Sequence, residues 1–143
     1  MPSLPPPAPF AARFSVWPDI RAALGAACND YDIGGDVRLR IELALEELFA
    51  NSIHHGYGAE SDRPVWIAMR GAADGIEIDY QDAAPAFDPL GDTAPAPAGP
   101  LAEQACGGLG CLLVRQMASA CRYRREGERN RVTLFFGQAT TPA

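Results

Sequence analysis

With 143 residues, 48% of them hydrophobic, the chain can build one buried core and is too short for two. A formal net charge of −6 and a pI of about 4.8 argue against nucleic-acid binding, which rests on clustered Lys and Arg. No apolar run is long enough to span a bilayer, and the start of the chain lacks the basic, then apolar, pattern of a secretory signal, so the expectation is a cytoplasmic protein with reduced thiols.

Pro2, Pro5, Pro6, Pro7 and Pro9 mark residues 1–9 as a flexible Pro-rich tail, ahead of a domain over 10–137 and a short C-terminal tail over 138–143. Residues 11–17 read as a strand, and Pro18 suits the first turn of a helix running to about Asn29. After Gly34 and Gly35 a long helix is predicted from Asp36 to His55. Val37, Ile41, Ala44, Leu48 and His55 fall along one line and form its buried stripe. That placement favours a hydrogen-bonded core role for His55 over a ligand role, and nothing decides the role of His54. Glu47, Asn51 and His54 lie beside the stripe, where polar side chains can line a pocket.

Gly56-Tyr57-Gly58 ends the helix, with glycine as a left-handed cap. Residues 65–69 and 76–80 read as two antiparallel strands around a turn at Ala73-Asp74-Gly75. Residues 90–106 are rich in Pro, Ala and Gly without periodicity, a length that marks a candidate lid. Gly107-Gly108-Leu109-Gly110 leads into a helix over 111–117, and a second hairpin pairs 121–125 with 130–136. Its basic cluster, Arg122, Arg124 and Arg125, reads as a solvated strand edge. The four cysteines form no C-x-x-C pair; Cys111 and Cys121 read as core residues, and Cys106, in the glycine-rich loop, as the more reactive. This order predicts an α+β fold: a two-layer α/β sandwich with a mostly antiparallel sheet and its helices on one face.

Three segments carry chemistry. Glu47 and Asn51 stand one turn apart on a helix of about 3.6 residues per turn, so a carboxylate able to take a proton lies beside an amide oxygen able to ligate a hard cation. Asp82 ends a strand, ahead of Ala83-Ala84-Pro85-Ala86-Phe87-Asp88-Pro89. Gly108 and Gly110 open a helix whose free N–H groups and dipole attract phosphate. Separately, the pair reads more readily as a solvated helix face, and the glycines as a turn serving close helix packing.

In this order the three segments resemble the N box and the two glycine boxes of the GHKL ATPases, the superfamily of gyrase, heat-shock chaperones and histidine kinases. Asn51-Ser52-Ile53-His54-His55-Gly56-Tyr57, Phe87-Asp88-Pro89, Gly107 to Arg115, and Tyr123 to Gly127 through Asn130 to Leu134 are most similar to the anti-sigma-factor serine/threonine kinases. The resemblance covers residues 10–136. It implies ATP as substrate and Mg²⁺ held by Asn51. Glu47 would be the general base. Asp82 would accept the amino hydrogen of adenine, supported by Thr133, with Ala84 and Phe87 in the first glycine box and Gly107, Gly108, Leu109 and Gly110 around the phosphates.

Two positions depart from the pattern: Ala84 stands where the wider superfamily has glycine, and Gln104-Ala105-Cys106 stand where some switch kinases carry an arginine. ATP binding tolerates these changes better than phosphoryl transfer, which needs charge stabilisation. The implied function is a serine/threonine kinase that binds a sigma factor or phosphorylates a STAS-type antagonist, with a homodimer possible and no nucleic-acid or membrane partner. The alternative is a nucleotide-dependent sequestering module of the same fold without kinase activity. A histidine kinase catalytic domain fits less well, because both histidines belong to the N box.

Overall fold

The computed structural model describes residues 7–90 and 108–138, and within them an α+β fold with one open five-stranded sheet. The elements run β1 (Ala8–Ala11), α1 (Trp17–Asp30), α2 (Gly35–Asn51), β2 (Pro64–Ala72), β3 (Gly75–Asp82), α3 (Gly108–Met117), β4 (Ala120–Glu126) and β5 (Arg129–Gly137). Strands order as β1-β2-β3-β5-β4, and every neighbouring pair is antiparallel. No helix among the described residues is long and apolar enough to cross a membrane.

The first strand lies earlier than the expected 11–17. Phe10 alternates onto the core side beside Val65, and Pro9 is tolerated because β1 is an edge strand with no neighbour needing its missing N–H. Residues Phe14–Val16 instead form a 3₁₀ turn, tied to the segment before β2 by an Arg13–Asp62 ion pair of 2.7 Å and by Phe14 N–H donating to Glu60 over 2.8 Å. The chain thus joins the sheet two residues before the boundary expected at Phe10.

α1 begins with Pro18 in its first turn and buries Ile20, Leu24 and Cys28; α2 buries Val37, Ile41, Ala44, Leu45, Leu48 and Phe49. Phe49 meets Phe14 edge-on at 6.2 Å between centroids and Trp17 at 6.0 Å, closing the core at that end. Fully burying such side chains yields roughly 1.5–3 kcal/mol each. Apolar contact therefore accounts for the helix layer, and polar groups buried within it call for a separate reason.

The long helix does not continue to His55 as an α-helix. At Ser52 it widens into a π turn, Ser52–Gly56, in which Tyr57 N–H donates to Ser52 C=O over 2.7 Å, five residues back. The wider turn takes His55 off the line of Val37, Ile41 and Leu48. His55 is exposed instead of buried, which overturns the core role expected for it. Gly58, at φ 84°, supplies the left-handed exit.

β5 alternates cleanly. Asn130, Val132, Leu134 and Phe136 are buried toward the helices, opposite Asp82, Tyr80, Ile78 and Ile76 of β3. The helix-facing side of the sheet is thus apolar along its length and polar at one end, where Arg125 of β4 pairs with Asn130.

Candidate functional site

The polar end of the sheet is built around Asp82, 9% exposed. Its Oδ1 accepts from Asn130 Nδ2 at 2.9 Å and from Ala84 N–H at 3.2 Å, and its Oδ2 accepts from the Ser52 hydroxyl at 2.7 Å. Ser52 Oγ lies 2.7 Å from the Tyr80 hydroxyl, which also donates to Leu48 C=O over 3.2 Å. Burial pushes the Tyr80 phenol well above its usual pKa of 10, so it stays a neutral hydroxyl. A buried carboxylate is costly unless hydrogen-bonded, and these donors answer that cost.

Asn130 ties the carboxylate to the turn that follows it. Its Nδ2 also reaches the carbonyls of Ala84 (3.2 Å) and Pro85 (3.0 Å). Its Oδ1 accepts from Phe87 N–H (3.1 Å), the Tyr123 hydroxyl (2.8 Å) and Arg125 (3.2 Å). Arg125 donates as well to Ala84 C=O over 2.8 Å. Behind the turn, the Tyr57 hydroxyl accepts from Ala83 N–H at 2.8 Å and donates to Pro64 C=O at 2.6 Å, and burial raises its pKa. Residues 83–87 are therefore pinned from three elements.

In front of this frame lies a cavity of about 220 Å³ bounded by the end of α2, the π turn, Asp82 and the 84–89 turn. Pockets for whole drug-sized ligands run to roughly 300–1,000 Å³, so this one suits a single planar base with the rest of the ligand outside. Gly56 keeps it open: a Cβ there would stand 2.9 Å from Ala84 Cβ and 3.7 Å from Asp82 Oδ2. Phe87, 37% exposed, and the exposed His55 border it.

Asn51 lines the same cavity, and its Nδ2 is buried with no hydrogen-bond partner. An orphaned amide facing a cavity calls for a ligand, and a half-turn of the carboxamide presents oxygen in place of nitrogen. Among the described residues no cluster of three or more His, Cys, Asp or Glu could cage a metal. A cation here would take one amide oxygen from the protein and its remaining ligands from phosphate and water. That donor set fits Mg²⁺.

The structure brings Asn51, Asp82, Ala84 and Phe87 to one cavity. Glu47, one turn before Asn51, is half-buried and stands outside the described cavity wall. Gly108, Leu109 and Gly110 open α3, which packs on α2. Gly107 and nearly all of the candidate lid lie outside the described residues. Thr133 is a correction: it lies on the opposite face of the sheet, its Oγ1 3.5 Å from Asp79 beside the 2.6 Å Arg131–Asp79 ion pair. The alternation of β5 sends Asn130 and Val132 toward the cavity and Thr133 away, so Asn130 holds the place beside Asp82 expected for Thr133. Sequence reasoning missed Asn130, Ser52 and Tyr80. Period-two spacing from Val132 and Leu134 was a usable signal for the first, and from Ile76 and Ile78 for Tyr80. Nothing local marked Ser52 as a partner of Asp82.

No curated protein matches the chain significantly. A family model described as a histidine kinase-like ATPase domain matches residues 10–136.

Proposed function

The chain belongs to the histidine kinase-like ATPase domain family, and from that premise we propose that it is an ATP-binding serine/threonine protein kinase of the anti-sigma-factor type. The observation that carries this is a buried carboxylate, Asp82, that lines the same base-sized cavity as the unpartnered Asn51 amide. Asp82 receives the adenine amino group, and Ala84 and Phe87 bound the ring. The phosphates run out toward the glycine N-terminus of α3, where backbone N–H groups and the helix dipole meet negative charge.

Asn51 would hold Mg²⁺, which when bound offsets phosphate charge. Glu47 takes the proton from the attacking hydroxyl of a protein serine. The protein acts in the cytoplasm on a sigma factor, a STAS-type antagonist or both, and its affinity for them changes with the bound nucleotide. A sequestering module without transfer is the second reading. It draws support from the position of Glu47 outside the cavity wall.

Titration calorimetry with ATP, with and without Mg²⁺, tests the site; heat absent in both conditions refutes it. Labelled ATP with a STAS-type antagonist then separates the readings. Label on a substrate serine, lost in Glu47→Ala with ATP affinity kept, supports the kinase. Tight ATP binding with no label on the antagonist supports the second reading.

A further inference from the structure

A carboxylate can accept about four hydrogen bonds, two at each oxygen. In Asp82 the two places on Oδ1 are taken by Asn130 Nδ2 and Ala84 N–H, and one place on Oδ2 by Ser52. One remains, on the oxygen beside Gly56. The direction of the chain behind it follows from counting hydrogens. A carboxylate only accepts, so the single Ser52 hydrogen points to Oδ2. The 2.7 Å contact between Ser52 and Tyr80 must then be bridged by the Tyr80 hydrogen, shared with Leu48 C=O. Ser52 and Tyr80 are 3% and 2% exposed, so water does not stand in for either.

We infer that Ser52 and Tyr80 are positioning residues that hold the Asp82 carboxylate so that its one open acceptor place meets a donor on the ligand, making the cavity selective for a base with an exocyclic amine. The inference rests on the ATP reading above and adds to it the source of base selectivity. A purine carrying oxygen at that position would place lone pair against lone pair. A purine with only hydrogen there would leave the place unfilled. Either loses what an amino group gains, as sites built to bond a polar group reject analogues lacking it. Without Ser52 the carboxylate can turn, and the preference blurs.

The test compares ATP with purine riboside triphosphate, which lacks the 6-amino group, by calorimetry on the wild-type chain, Ser52→Ala, Ser52→Thr, Tyr80→Phe and the Ser52→Ala/Tyr80→Phe double variant. Wild type prefers ATP. Ser52→Ala reduces that preference about tenfold, as expected for a hydrogen bond to a charged group, and Tyr80→Phe about threefold, as for a neutral one. Affinity for the analogue stays within about twofold, and the double variant is no worse than Ser52→Ala alone because Tyr80 acts through Ser52. Ser52→Thr, which keeps the hydroxyl, restores the preference. If Ser52→Ala does not fold, Tyr80→Phe carries the same comparison. A preference unchanged in both variants, or equal weakening of both nucleotides, overturns the inference while ATP binding stands. A wild-type chain that binds neither nucleotide removes the ATP reading and this inference with it.

Discussion

Replacing Asn130 by Ala should cost the free protein about 2–4.5 kcal/mol and much of its response to ATP. The magnitude comes from the partners left behind. Ala84 C=O keeps Arg125, Asp82 Oδ1 keeps Ala84 N–H at 3.2 Å, and Pro85 and Phe87 are exposed enough to bond water. The uncompensated losses are the 2.9 Å bond to the buried carboxylate, roughly 1.5–3 kcal/mol, and the bond to Tyr123, roughly 0.5–1.5 kcal/mol. At an unfolding entropy of about 2.1 cal/mol/K per residue, the 143-residue chain loses about 3.3 °C of Tm per kcal/mol, hence a drop of roughly 7–15 °C. Thermal melts with and without saturating Mg-ATP check both effects. Thr133→Val, on the far face of the sheet, serves as the contrast and should leave the ATP-induced rise in Tm intact. A drop under about 2 °C with a normal ATP response in Asn130→Ala, or a lost response in Thr133→Val, would refute the placement of these two residues.

Asn51→Ala should change the stability of the nucleotide-free protein by less than about 1 kcal/mol, because the amide it removes has no partner to lose. The same variant should abolish the Mg²⁺-dependent part of ATP affinity, and a large fall in unliganded Tm would contradict the orphan assignment. Gly56→Ala forces a Cβ to 2.9 Å from Ala84 Cβ, an overpacking cost of about 1–3 kcal/mol, and should weaken ATP binding more than Gly58→Ala, whose added Cβ meets open space away from the cavity. Alkaline stability is expected to report Tyr80. Its folded pKa lies well above 10, so its contribution is whole below about pH 10 and is lost as pH rises toward the folded value, at up to about 1.4 kcal/mol per pH unit. Urea midpoints from pH 9 to 11 should fall less steeply in Tyr80→Phe than in wild type, Tyr57 accounting for slope that remains; identical slopes would show that the phenol is not shielded as described.

Period and punctuation in the sequence were enough to read the two hairpins and the pair of helices, because each rests on contacts among near neighbours, and the hairpins in turn pointed to a mostly antiparallel sheet, although its β1–β2 and β3–β5 pairings are distant in sequence. Pro9 misled the first strand: proline argues against a strand in general, and only the edge position of β1, a tertiary fact, makes it harmless. His55 was misplaced because counting by 3.6 assumes one kind of helix, and a single wider turn rotates everything after Asn51. Among the site residues, Asn51 and Asp82 were reached through the order of the three segments and the resemblance it carries, since spacing alone was a weak signal for either. Thr133 drew attention that the alternation of its own strand should have directed to Asn130. The alternation of β3 could have set Tyr80 on the helix-facing side, but its partnership with Ser52 was beyond local reading, since that link spans 28 residues and exists only once α2 is laid across the sheet.

The strand order has a consequence for how the protein is made. β5, last in chain order of the five described strands, is an interior strand, lodged between β3 and β4. Until it emerges, β3 shows an unpaired edge and β4 has no neighbour in the sheet, an arrangement that invites pairing with other nascent chains. Gln138 then completes the assembly, its side chain clasping Gly34 N–H and Asp32 C=O in the loop between α1 and α2. Cutting the gene before codon 138 would therefore leave that clasp undone, and before codon 129 would leave Asp82 on an edge strand without Asn130.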